Sequence, residues 1–186
     1  MSPSDMHDAL MDVRDPRVEN VLGSAAVAIA DAIEAAAEGA AGHTAAGPAA
    51  LTALRHHRGC TVDHLAGVLG LSHSGTVRLV DRLEQDGLVR RGTGSDARAV
   101  ALDLTPKGAR RASRVAEART EAVGEFLAVL DGSERIALLG LLEKLVTAGA
   151  GDWGAVQHRC RLCDLDACRD DGEACPLDLH MAALAG

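Results

Sequence analysis

The run TVDHLAGVLGLSHSGTVRLVDRLEQDGLVRRGTGSDARAVALDLTPKG, residues 61–108, decides how the chain is read. Thr61 can cap a short helix that Gly70 closes, and Ser72 can cap a second after the tripeptide Gly70-Leu71-Ser72. In that second helix Val77, Val80 and Leu83 recur at steps of three, as a buried stripe does. The periodicity then becomes nearly alternating. LVRRG and AVALDLT read as two strands, and the small-residue run GTGSDAR between them reads as a hairpin loop.

Two short helices joined by a tight turn, the second followed by a hairpin, make a winged helix-turn-helix. In such a lobe the second helix presents its N-terminal residues to base edges in the major groove, and the hairpin reaches backbone or minor groove. The candidate DNA-contacting residues are therefore Ser72, His73, Ser74 and Thr76 at the helix start, Arg78 and Arg82 further along it, and Arg90, Arg91, Ser95 and Arg98 on the hairpin. An arginine at the hairpin tip suits the negative potential of a narrow minor groove.

Outward from this lobe the pattern stays helical. RVENVLGSAAVAIADAIEAAAEGAAG, residues 17–42, places Val18, Val21, Leu22, Ala25, Ile29 and Ile33 on one face, and Gly42, Gly47 and Pro48 punctuate the stretch after it. AALTALRHHRG is a short helix stopped by Gly59. Thr105 can cap a long helix with Pro106 in its first turn, Asp131-Gly132 interrupts it, and SERIALLGLLEKLVTAG carries Ile136, Leu139, Leu142 and Val146 on one face. Five segments result: 1–16, a frayed N-terminus; 17–47, an N-terminal dimerisation helix; 48–108, the winged lobe; 109–149, C-terminal dimerisation helices; and 150–186, a cysteine-rich tail. The expected fold is mainly α with a small β-hairpin wing, and with one Phe, one Trp and no Tyr its core must be aliphatic.

Charge is polarised along the chain. Net charge is −8, yet residues 51–120 hold twelve Lys and Arg against seven Asp and Glu, a net of +5, while residues 150–186 hold three against seven. The basic centre suits a nucleic-acid partner despite the acidic total. No apolar run reaches the roughly 18 residues that span a bilayer, and MSPSDMHDALMDVRD lacks a secretory pattern. A cytoplasmic location and no membrane partner are expected. A nucleotide loop and a nucleophile–base pair are both missing from the pattern, so no enzyme is expected.

The run 61–108 is similar to the DNA-binding core of the MarR transcriptional regulators, most specifically in LAGVLGLS, TVRLVDRLEQDGLVRR, the Asp-x-Arg of SDAR and the closing LTPKG. The resemblance implies a homodimer whose terminal helices interleave and whose two lobes meet a pseudo-palindromic double-stranded operator. It also implies that Asp96 ties the wing by an ion pair and that Arg98 enters the minor groove. Gly75 departs from the pattern, since family members often carry a side chain there; the glycine implies fewer base contacts. Regulators of this kind often bind a small-molecule effector between the lobes, and spacing assigns no residues to such a pocket.

The tail adds a second chemistry. Cys160, Cys163, Cys168 and Cys175 follow C-x2-C-x4-C-x6-C, and four thiolates within sixteen residues can complete a four-sulfur shell around zinc or an iron–sulfur cluster. The Cys175-Pro176 step and the single x2 pair favour the iron–sulfur cluster over zinc; a thiol switch is the plain alternative. Trp153 is expected to anchor this tail, and loading of the site to order it against the dimer interface, sensing redox state or metal. Cys60 stands at a helix start, where a thiol pKa can be lowered, but a lone cysteine more commonly serves packing. His56, His57, His64 and His73 read as surface or capping groups rather than ligands. The leading reading is a dimeric DNA-binding regulator, a repressor, with a four-cysteine metal centre; a regulator with a purely structural zinc and a small-molecule ligand is the alternative, and a redox or electron-transfer subunit a remote one.

Overall fold

The computed structural model describes residues 15–93, 100–172 and 174–185. Helix α1, Pro16–Ala41, starts at Asp15, whose carboxylate accepts from Arg17 N at 2.9 Å, and ends at Gly42 in the left-handed region. Helix α2, Gly47–His56, has Pro48 in its first turn and is buried from Gly47 to Leu54. It is the axle of the lobe. Around it stand α3, Val62–Leu69, and α4, His73–Gln85, followed by the strands β1, Val89–Thr93, and β2, Val100–Leu104. The strands pair antiparallel with Val89 opposite Leu104 and Thr93 opposite Val100. Cys60 extends this small sheet: its carbonyl accepts from Leu102 N at 2.9 Å, and Leu102 O accepts from Gly59 N at 3.1 Å.

Three helix starts have the cap their sequence offers, whereas α2 begins after Ala46 with no side-chain cap. Thr61 accepts from His64 N, Ser72 from Gly75 N, and Thr105 from Gly108 N. A cap of this kind satisfies one of the four orphan amides of a helix start and is worth about 0.5–2 kcal/mol. The long helix α5, Pro106–Leu127, crosses the hairpin so closely that a Cβ on Gly108 would lie 1.9 Å from Leu88 O. Only glycine fits there. Helix α6, Gly132–Thr147, opens on a reciprocal capping box between Asp131 and Glu134.

The main core is aliphatic. Leu51, Leu54, Leu65, Val68, Val80, Leu83, Leu88, Val89, Leu102 and Val115 are its largest sealed side chains. Helix α5 runs along α1 and α2, and Arg111 on it donates to Ala41 O at 2.8 Å. Outside the core, α1 leaves Val18, Val21, Leu22 and Val27 exposed, and α6 has no buried residue at all. Contrary to the run-based reading, α1 is long and apolar enough to cross a bilayer by length and composition alone. Asp31 and Glu34 lie along it, and a count of uninterrupted apolar residues stops at them.

The tail is more structured than its glycines suggest. Asp152 caps α7, Trp153–Arg159, by accepting from Ala155 N at 2.9 Å. A 3-10 turn, Ala167–Gly172, and α8, Pro176–Ala185, come next. Helix α7 packs on α3, and α8 packs on α6. The expected anchor fails: Trp153 is 54% exposed, and the tail is held instead by a small cluster of Ala150, Val156, Cys175, Leu177 and Met181.

Candidate nucleic-acid interface and cysteine site

The recognition face is built by burying its opposite side. Thr76, Leu79, Val80 and Leu83 of α4 face the core, so Ser74, Arg78 and Arg82, four residues apart, share the outward face and are exposed. Ser72 and His73 are exposed at the helix start. Ser72 is spent partly on the fold, because its hydroxyl accepts from Gly75 N at 3.2 Å. A side chain at position 75 would put its Cβ 3.1 Å from that hydroxyl, which links the unusual glycine to the cap. His73 Nδ1 meets Asp63 Oδ1 at 2.6 Å, tying the first turns of α3 and α4 together.

Two of the expected contact residues are placed differently. Thr76 is fully buried, and its hydroxyl donates to Ser72 O at 3.0 Å, so it packs the helix and faces no ligand. Arg91 is drawn back from the wing onto α4, where its guanidinium bonds Asp81 Oδ1 at 2.6 Å and Glu84 Oε2. It fixes the wing stem to the recognition helix. Arg90 remains exposed, with a loose 3.7 Å pairing to Asp103. Ser95, Asp96 and Arg98 lie outside the described residues.

Of the cysteines, Cys60 is half-buried against the core. Burial pushes its thiol up to about 11 and overrides any help from the helix start. The four tail cysteines arrive from separate elements: Cys160 ends α7, Cys163 sits in the turn after it, Cys168 is on the 3-10 turn, and Cys175 precedes α8. Cys163 N donates to Cys160 O at 2.9 Å, and the adjacency of the two thiols raises the first and lowers the second, with Arg119 and Arg161 adding to the lowering. Among the described residues no group of three or more His, Cys, Asp or Glu side chains is drawn together tightly enough to hold a metal. The four thiols are not drawn into a coordination shell.

Sequence reasoning missed how the tail reaches the lobe. His158 Nδ1 donates to Val68 O at 3.0 Å, His56 Nε2 donates to Cys163 O at 3.3 Å, and Arg55 pairs with Asp166 at 2.9 Å. Burial lowers the pKa of His56 and, with His64 nearby, that of His57. The repeated basic and histidine residues at 55–58 were the available signal. A cavity of about 440 Å³ lies between α1, α2, α5 and the tail, with Ile33, Glu38, Arg119, His158, Arg161 and Cys163 among its walls.

Known proteins resemble the chain over part of its length. A model of the MarR family matches residues 48–99. Over those residues the winged lobe is similar to that family. A protein of Thauera aromatica described as a putative transcriptional regulatory protein for the hcr operon is 32% identical over 96 residues, which are 51% of this chain and 58% of that protein. The chain thus spans little more than half the length of that relative. YusO of Bacillus subtilis superposes with a TM-score of 0.60 at 23% identity, over 80% of this chain and all of that one. Apo MarR of Escherichia coli gives 0.55 at 25% identity, over 67% and 96%. The mainly helical fold with its two-stranded wing is the MarR winged-helix fold.

Proposed function

We propose that the protein is a dimeric transcription regulator of MarR type that binds a pseudo-palindromic operator as a repressor, a cytoplasmic DNA-binding protein rather than an enzyme. The observation that carries this reading is the outward face of α4: Ser72, His73, Ser74, Arg78 and Arg82 are exposed on the helix whose other side is sealed into the core. Arginines four residues apart on such a helix can reach base edges and phosphates together. Arg90, Ser95 and Arg98 extend the contact along the wing, with Asp96 bracing its tip. The uncovered apolar residues of α1 and of α6, Ile136, Leu139, Leu142 and Leu145 among them, are covered by a second copy, as an isologous interface requires.

The tail cysteines Cys160, Cys163, Cys168 and Cys175 bind a metal centre, an iron–sulfur cluster in preference to zinc. The chemistry of the donor set supports this: four thiols on short connections, two of them held close by the Cys163 N to Cys160 O hydrogen bond, can close around a metal that prefers sulfur. The cavity bounded by Arg119 and Arg161 favours a second reading alongside it, in which a small anionic effector binds there.

One preparation tests the whole. Anaerobically purified full-length protein should sediment as a dimer, carry a visible charge-transfer band, and bind a duplex selected from a random pool with affinity that falls steeply as salt rises. A monomer, or binding indifferent to salt, would remove the regulator reading; a colourless protein with one zinc would replace the cluster.

A further inference from the structure

The tail bridges two parts of the molecule: α8 rests on α6, and α7 on α3. Its links to the lobe are interleaved with the cysteines. His158, two residues before Cys160, bonds Val68 O; the carbonyl of Cys163 itself accepts from His56; Asp166, between Cys163 and Cys168, pairs with Arg55. Leu162 packs against the main core. On the lobe side these contacts land on the last turn of α2 and the end of α3. There Gly70 turns the chain at φ +65°, and the His158 ring comes within 3.1 Å of where a Cβ on Gly70 would stand. That turn sets the angle between α3 and the recognition helix.

The tail's other ties are polar links at its two ends, Arg159 to Ala148 O at 2.8 Å and His180 to Ala150 O at 3.0 Å, and the Arg169–Asp178 pair at 2.9 Å. Its own apolar cluster is five residues, one of them Cys175, with Cys160 packed against it. Anything that fixes the four cysteines relative to one another therefore fixes His158, the Cys163 carbonyl and Asp166 as one rigid block. We propose that the tail is a metal-set brace on the helix-turn-helix: loading the four-cysteine site locks the tail onto α2 and α3 and stiffens the Gly70-Leu71-Ser72 turn. Loss of the metal releases that turn. The signal thus enters the DNA-binding lobe of the same chain through α3. This inference rests on the metal-binding reading above. Linkage makes it reciprocal, since a metal that favours the docked tail is itself bound more tightly when docking is intact, by the same factor.

Amide exchange of the full-length, reduced protein decides it, with and without one equivalent of Zn2+, and separately after reconstitution with Fe2+ and sulfide. Residues 62–72 should exchange at least tenfold more slowly when loaded. His158→Ala and Arg55→Ala should each still bind one metal at saturation, yet lose most of that slowing and bind Zn2+ severalfold more weakly against a chromophoric chelator. Metal bound to the wild type with unchanged exchange at 62–72, or variants that keep the full slowing, would overturn the brace and leave the metal reading standing. A wild-type protein that takes up neither metal would overturn both.

Discussion

The winged lobe and the cysteine tail solve the same problem by opposite means. The lobe encloses a continuous aliphatic core in which Leu51, Leu65, Leu83 and Leu102 are wholly sealed, and its caps and hairpin only trim the edges. The tail has short helices separated by breaks, a five-residue cluster, and a set of polar links to its neighbours. Apolar burial is worth about 25 cal/mol per Å² wherever it occurs, so the lobe can stand on its own core and the tail cannot. The contrast teaches where control can be placed. A segment held by a small cluster and polar links responds more readily to a ligand than a sealed core does.

The sharpest way to break this contrast is to cut one leucine from the lobe and one valine from the tail. Leu83→Ala should lower lobe stability by about 2–5 kcal/mol, the usual cost of a cavity in a close-packed core. Val156→Ala, in the tail cluster, should leave the lobe's urea midpoint in place and show instead as faster proteolysis after residue 149. Equal midpoint shifts for the two variants would mean that lobe and tail unfold as one unit, and the distinction would collapse.

The same contrast explains how much of the molecule is legible in its letters. Caps and periodicity are local, so Thr61, Ser72 and Thr105 mark helix starts that the structure contains, Asp131-Gly132 marks a break whose aspartate caps the next helix, and the change from helical to alternating pattern marks the wing. Side-chain partners are not local. Thr76 reads as an exposed polar residue of the recognition helix, but the helix is rotated so that position 76 faces inward with Leu79 and Val80, and a threonine can enter a core once its hydroxyl bonds the carbonyl four residues back. Arg91 reads as one more wing cation, although Asp81 and Glu84 stand ten and seven residues upstream to claim it. Asp152 caps the helix Trp153–Arg159 despite the glycine at its second position. The docking of His158 on Val68 spans 90 residues, and no spacing rule reaches that far.

A smaller effect separates the two arginines at the wing stem. Arg91 is about a third exposed and bonds two carboxylates on α4, so Arg91→Ala should cost about 1 kcal/mol once solvent screening is allowed for, and less at high salt. Its effect on DNA affinity should come through a loosened wing, with the salt dependence of binding unchanged. Arg90 is more than two-thirds exposed, so Arg90→Ala should leave stability within about 0.5 kcal/mol of wild type. If Arg90 neutralises a phosphate, its loss should reduce the slope of log affinity against log salt by about 1. A slope change on removal of Arg91 would place that guanidinium at the DNA after all.

The smallest expected effect concerns the fifth cysteine, and it tests whether the lobe's interior treats a thiol as the tail does. Cys60 is backed by the core, and burial raises its thiol to about 11. A raised value means the thiolate is scarce below that pH, at about one part in a thousand at pH 8, and appears only as pH climbs toward 11. Native alkylation followed by peptide mass analysis should therefore find Cys60 almost unmodified at pH 8, while Cys168, whose thiol is also raised by desolvation but which is exposed on the 3-10 turn, reacts faster when no metal protects it. Adding Zn2+ should then protect Cys168 and change nothing at Cys60. Rapid modification of Cys60 at pH 8 would show that its thiol is less shielded than its packing against the core implies.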